Sequence, residues 1–165
     1  MKVLHLTDDM ALMGGVQRYL GALEAILPDV GIECRVWAPS PGPLHGHASR
    51  WYGRRYRQRV REIIEDYRPD VVHAHNLWMR ISPTPLEAAG EAGIPVVMTV
   101  HDYNWVCPRK WMITEDDQPC DTGYSRRCAL SSCRGSHEGR AWLPYNALRW
   151  VKTGWHRKMV IRWVD

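Results

Sequence analysis

"KVLHLTDDMALMGGVQRYLGALEAIL", residues 2–27, joins two hydrophobic periods through a glycine pair. Lys2–Thr7 is a short apolar run of the kind that forms a buried strand. Val16, Leu20, Leu23 and Leu27 then recur at spacings of four, three and four, which is one face of a helix. Pro28 and Gly31 close that helix. A buried strand followed at once by an amphipathic helix is half of a βαβ unit.

Working outward, the same unit returns. Glu33–Pro39 is a second strand, stopped by a loop with Pro39, Pro41, Gly42 and Pro43. A basic helical stretch runs from about Ser49 to Tyr67, with Val60, Ile63, Ile64 and Tyr67 as its apolar positions. Asp70–His75 is a third strand. A helix spans about Pro85 to Ala92, with Gly93 ending it. "PVVMTVH", residues 95–101, is the fourth strand. The order β-α-β-α-β-α-β predicts an α/β fold: a parallel sheet with helices on both faces and right-handed crossovers. From Tyr103 to about Gly139 the periodicity stops and turn formers and four cysteines appear, so a Cys-containing insertion is placed at about 103–139. Ala141–Val164 reads as one or two basic, Trp-rich amphipathic helices.

At 165 residues, with 45% hydrophobic and 24% charged side chains, the chain is one globular domain with a real core. The net charge of +4 is unevenly spread, with arginines concentrated between Arg50 and Arg61 and more basic residues after Arg134. Such clusters suit phosphate-rich partners; as solvated helix faces they are equally ordinary. No stretch approaches the ~20 apolar residues of a membrane span. "MKVLHLTDD" lacks the features of a signal peptide, so a cytoplasmic location is expected. Arg54, Arg55, Arg57 and Arg59, with Lys152, Arg157 and Lys158, suggest peripheral contact with an anionic membrane at its inner face. Trp150, Trp155 and Trp163 would be interfacial anchors, against the alternative that they pack on the sheet.

In open α/β sheets ligands bind beyond the carboxyl ends of the strands. Here the first strand ends on Asp8 and Asp9, then Gly14 and Gly15. The third ends on His75 and Asn76, the fourth on His101 and Asp102. Gly14 and Gly15 before a helix would let backbone N–H groups approach an anion, although neither dinucleotide nor Walker fingerprint is met. His101 can hydrogen-bond hydroxyls or move protons. His73 and His75 are read as pointing to opposite sides of their strand, which leaves His75 for the ligand edge. Cys107, Cys120, Cys128 and Cys133 have the spacing C-x12-C-x7-C-x4-C, without the C-x2-C pairs of a zinc site. They are weighed as zinc ligands against separate thiols, and no metal ligand is assigned. Cys34, inside a strand, is read as a small core residue.

"GGVQRYLGALEAIL", "GIECRVWAP", "PDVVHAHNLW", "LEAAGEAGIPVVMTVHDYNWVCP" and "CRGS", in that order, resemble the N-terminal domain of glycosyltransferase family 4 over nearly the whole chain. The resemblance implies the N-terminal, acceptor-side half of a GT-B fold, residues 1–165, in a retaining enzyme of polysaccharide assembly. It implies a UDP-, GDP- or ADP-linked sugar as donor, a saccharide or lipid-linked acceptor, no other cofactor and no nucleic-acid partner. Gly14 and Gly15 would close on the donor diphosphate. His101 would contact the donor sugar at the reacting centre as the catalytic residue. Arg18, on the basic position after the glycine pair, would stand with His75, Asn76 and Asp102 on the acceptor side.

Family members hold the nucleotide mainly with a C-terminal domain carrying a basic pair and a Glu-x7-Glu motif, and no Glu-x7-Glu occurs in this sequence. The expectation is an incomplete enzyme, inactive by itself. A stand-alone nucleotide-binding Rossmann-like protein and a non-catalytic zinc-stabilised binding module are the alternatives.

Overall fold

A computed structural model describes residues 1–10, 14–40, 51–78, 80–130, 133 and 143–165. The expected loop at 41–43, the start of the basic helix at 49–50, Arg134–Ser136 of "CRGS" and the first residues of the last helix lie outside the described residues. The chain divides into two compact units, residues 1–101 with 159–165, and residues 102–158.

The first unit is the predicted α/β layer structure. Its strands are β1 (Lys2–Leu6), β2 (Glu33–Trp37), β3 (Val71–Ala74) and β4 (Val96–Met98). All pair in parallel, in the order β2-β1-β3-β4. The chain runs from β1 outward to β2 and then returns to the other side of β1, so the strand order reverses between β1 and β3. Such a switch point is where α/β sheets open a crevice for ligands.

The helices are α1 (Gly15–Ile26), α2 (Arg54–Tyr67) and α3 (Thr84–Glu91). On one sheet face Leu4, Leu6, Val72 and Ala74 are fully buried. Arg35 and Trp37, in register with Leu4 and Leu6, touch α2 through Asp66, Tyr67 and Tyr56. That face is therefore the α2 side. α2 presents Tyr56, Val60, Ile63, Ile64 and Tyr67 inward at helical spacing and its arginines outward. Arg57 pairs with Glu87 and Glu91, and Arg61 with Glu91 at 2.8 Å, so part of the basic cluster is neutralised by α3.

Local signals explain the element ends. α2 begins at Arg54 because the Gly53 N–H donates to the hydroxyls of Ser82 and Thr84, each at 3.1 Å. α1 passes into a 3-10 turn at Leu27–Val30 with Pro28, then stops at Gly31, whose φ of +74° suits glycine. In the last turn of the chain Trp163 packs against Gly90: a Cβ there would overlap the indole. The Asp165 N–H donates to the Val96 carbonyl, 2.9 Å, at the β4 edge.

The second unit is loop-rich, as its turn formers predicted. Ile113 and Pro119 form an isolated antiparallel bridge. Leu143–Trp163 is a single helix, α4, whose residues through Lys158 belong to this unit. Tyr124 stacks on Trp150, centroids 5.8 Å apart, and its hydroxyl donates to the Trp150 carbonyl at 3.1 Å. Trp150 and Trp163 are thus packed side chains, whereas Trp155 is half exposed. No described helix is long and apolar enough to cross a membrane.

Candidate functional site

The candidate site is the carboxyl edge of the sheet in the first unit. Its floor follows from register. β1 and β3 set His5 beside His73. The pairing continues past both strands through His75 N–H to Leu6 O, 2.9 Å, and Asp8 N–H to Asn76 O, 2.8 Å. The expectation that His73 and His75 diverge is corrected. Residues two apart on a strand share a face, and the two rings stand 4.2 Å apart. His5, His73, His75 and His101 form one cluster of imidazoles on the α1 side of the sheet.

Their contacts are directional. His5 Nδ1 lies 3.3 Å from His75 Nε2, and His75 Nδ1 lies 3.0 Å from His101 Nε2. His73 Nε2 lies 2.7 Å from the Thr99 hydroxyl. Tyr19, from α1, sets its ring edge-on against both His75 and His101, at 5.8 and 5.5 Å. Burial, reinforced by the neighbouring imidazoles, lowers the pKa of His75 to about 3 and that of His5 to about 4. Burial and His101 lower that of His73 as well. These three rings are neutral at pH 7.

A neutral imidazole has one donor and one acceptor nitrogen. His75 must therefore donate to one neighbour and accept from the other, which couples the tautomers of His5, His75 and His101. His5 Nε2 is buried with no hydrogen-bond partner. An orphaned buried N–H is rarer than an unfilled lone pair, so the His5 proton sits on Nδ1 and donates to His75. His75 then donates from Nδ1 to His101 Nε2, and the His101 proton lies on Nδ1. His101 is thereby set as a hydrogen-bond donor.

The glycine pair sits at the start of α1. Gly14 is its N-cap, with ordinary extended backbone, no side-chain cap and no acid in the first turn. The side chain of Gln17 folds back to Asp9 O at 2.7 Å and fills the space of a Gly14 Cβ. Gly15 faces open space. Among the described residues no side chain caps this helix N-terminus, and such an N-terminus can take an anion on its N–H groups. Tyr19 is one turn from Gly15 on the same helix face, so α1 carries the glycine edge toward His101.

The remaining predicted residues fall as follows. Arg18 is exposed on α1, and Asn76 is half-buried past β3. His75 is fully buried. Asp102 opens the second unit and accepts from the backbone and side-chain N–H groups of Asn104 at 2.9 and 2.7 Å. Asp8, grouped by sequence with the ligand-edge residues, is a buried pin. Its carboxylate accepts from the N–H groups of Trp78, Arg80 and Ile81 at 2.6–3.3 Å. Asp9 pairs with Arg80 at 2.8 Å. Sequence reasoning missed Tyr19 and His5; the spacing of Tyr19 four residues after Gly15 was the available signal.

None of the four cysteines of the second unit, Cys107, Cys120, Cys128 and Cys133, is in a disulfide, nor is Cys34 in the first. No three of those four bring their sulfurs within 4.8 Å of one another, so the zinc alternative there lacks a ligand set among the described residues. The buried Arg109 stands among Cys107, Cys128 and Cys133 and donates to Cys128 O at 3.3 Å.

A parallel sheet with an order reversal, a glycine-headed helix and polar strand ends defines a Rossmann-like α/β domain. The profile of Glycosyltransferase Family 4 matches residues 13–158. The chain belongs to that family, and its fold agrees with one half of a GT-B enzyme. No curated protein matches it.

Proposed function

We propose that this chain is the acceptor-side domain of a retaining glycosyltransferase. The enzyme moves a sugar from a nucleotide-sugar to a hydroxyl of a saccharide or lipid-linked acceptor and releases nucleoside diphosphate. The observation that supports this most is the 3.0 Å contact from buried His75 to His101. It backs the imidazole that follows β4 with a fixed tautomer, at the edge where such sheets take ligands.

The roles follow from the chemistry. As negative charge grows on the leaving diphosphate, the uncapped N–H groups from Gly15 onward and the α1 dipole stabilise it. His101, donating from Nδ1, holds an oxygen of the donor sugar beside the reacting carbon. A donor held there cannot drift, which is the positioning part of catalysis. Arg18 and Asn76, both in the first unit, belong to the acceptor side, and His75 acts through His101. The groups that grip the nucleotide come from a donor-binding domain, as in other members of the family.

The test is a titration of the isotope-labelled chain with UDP-, GDP- and ADP-sugars, followed by NMR. Weak binding, in the millimolar range, that shifts the amides of Gly14 and Gly15 and the His101 ring supports the reading. Tight binding of nucleotide by the chain alone favours a stand-alone nucleotide-binding protein. Shifts confined to the second unit contradict the assignment.

A further inference from the structure

The three imidazoles under the ligand edge do more than back His101. One ring nitrogen each from His5, His73 and His75 fall within 4.8 Å of one another. His5 Nδ1 and His75 Nε2 stand 3.3 Å apart. With Zn–N bonds of ≈ 2.0–2.1 Å, two imidazole nitrogens on a tetrahedral zinc are also about 3.3 Å apart. His5 is 1% exposed and His75 is fully buried, so both rings are held by packing. A metal held by His5 Nδ1 and His75 Nε2 replaces the hydrogen bond between those two atoms, with the His5 proton moved from Nδ1 to Nε2. His5 and His73 face each other in register on adjacent strands, and His75 follows β3 with its N–H bonded to Leu6 O, a rigid support for a ligand set.

We propose that His5, His73 and His75 form a three-histidine site for a borderline transition-metal ion, of which Zn2+ is the type by ligand chemistry. Three nitrogens without thiolate or carboxylate suit zinc, cobalt, nickel or copper rather than magnesium or calcium. A metal on His75 Nε2 requires the His75 proton on Nδ1, where it donates to His101. This is the outer hydrogen bond that metal-bound histidines ordinarily make. The ion would lock the tautomer of the ring beneath His101 and tie β1 to β3. The inference is independent of glycosyl transfer, since neither the ligands nor the fit depends on a sugar substrate.

The test uses the chelator-stripped chain and metal ions alone. Isothermal titration with ZnCl2 is expected to show one equivalent bound. Co2+ is expected to give the visible bands of a four-coordinate site. His73→Gln, at a half-buried position, should keep the circular dichroism of the folded chain and weaken zinc by about 100-fold or more. Cys107→Ser should leave binding unchanged. In the unmutated chain, one equivalent of zinc should move the imidazole nitrogen resonances of His5, His73 and His75 but not of His156. Absence of binding to the folded chain overturns the site. So does binding that survives His73→Gln or follows the cysteines, or resonance changes confined to other histidines.

Discussion

His75 Nδ1 lies 3.0 Å from His101 Nε2, and the other nitrogen of His75 faces His5 at 3.3 Å. A ring with one proton cannot donate in both directions, so the protonation of a buried residue on β1 determines what His101 presents at the edge of the sheet.

This relation is measurable. The His101 imidazole is expected to carry its proton on Nδ1, the tautomer imposed by His75. In His75→Phe, which keeps an aromatic ring but removes both nitrogens, that constraint is lost. The nitrogen shifts of His101 should move toward the Nε2–H form, while its Tyr19 contact is kept. Unchanged His101 shifts in the folded variant would show that the two rings are not coupled.

Stability should fall with acid. His5 and His75 have pKa values of about 4 and about 3 in the folded chain, against 6.5 when unfolded. Between those values the unfolded state binds more protons, so their contribution is whole above pH 6.5 and declines as pH falls toward 4 and then 3. Urea midpoints of the chain in excess chelator should drop between pH 7 and pH 5. His5→Leu, with one such group fewer, should drop less. A midpoint equal at both pH values would mean that the rings are not held neutral.

Gly90 and Gly21 should respond oppositely to alanine. Both lie inside helices, where alanine gains about 1 kcal/mol over glycine. Gly21 has nothing within 4 Å of a Cβ, so Gly21→Ala should stabilise by about that amount. Gly90 lies under Trp163, so Gly90→Ala must displace the indole and should destabilise by about 1–3 kcal/mol despite its helix propensity. Chemical denaturation reads both changes. A stabilised Gly90→Ala would refute the Trp163 packing.

Asp8→Ala should cost about 3 kcal/mol or more, because it strands N–H groups of the segment after β3, each worth about 1–3 kcal/mol when buried without a partner. Asp8→Asn retains an acceptor and should cost less. Equal midpoints for the unmutated and alanine forms would remove Asp8 from its pinning role.

The sheet was legible because short strand-like runs alternate with helix-period segments over the first hundred residues, as Val71–Ala74 and Thr84–Glu91 illustrate. Strand ends were not. β4 stops at Met98 rather than His101, because after the Thr99 N–H bond to Ala74 O the neighbouring β3 has ended. The start of α2 depended on Ser82 and Thr84, hydroxyls ~30 residues away in sequence, which no local pattern reports. At the site, His101 and the glycine pair were named as candidates because they follow the expected strands. The cluster below them could not, because it depends on register between β1 and β3. The period of two was also misapplied to His73 and His75. The cysteines drew attention as metal ligands through residue type, yet their positions in the chain do not bring three sulfurs together.

The central claim is that His101 serves sugar transfer. The most direct measurement is transfer of labelled sugar from a nucleotide-sugar by this chain, alone and supplied with a donor-binding domain of its family, for the unmutated sequence and His101→Ala. The account expects no transfer by the chain alone and transfer once the donor domain is present. It expects His101→Ala to reduce turnover by about 100-fold or more with little change in melting temperature. Near-normal turnover by the folded His101→Ala protein, or transfer by the chain alone, would contradict it.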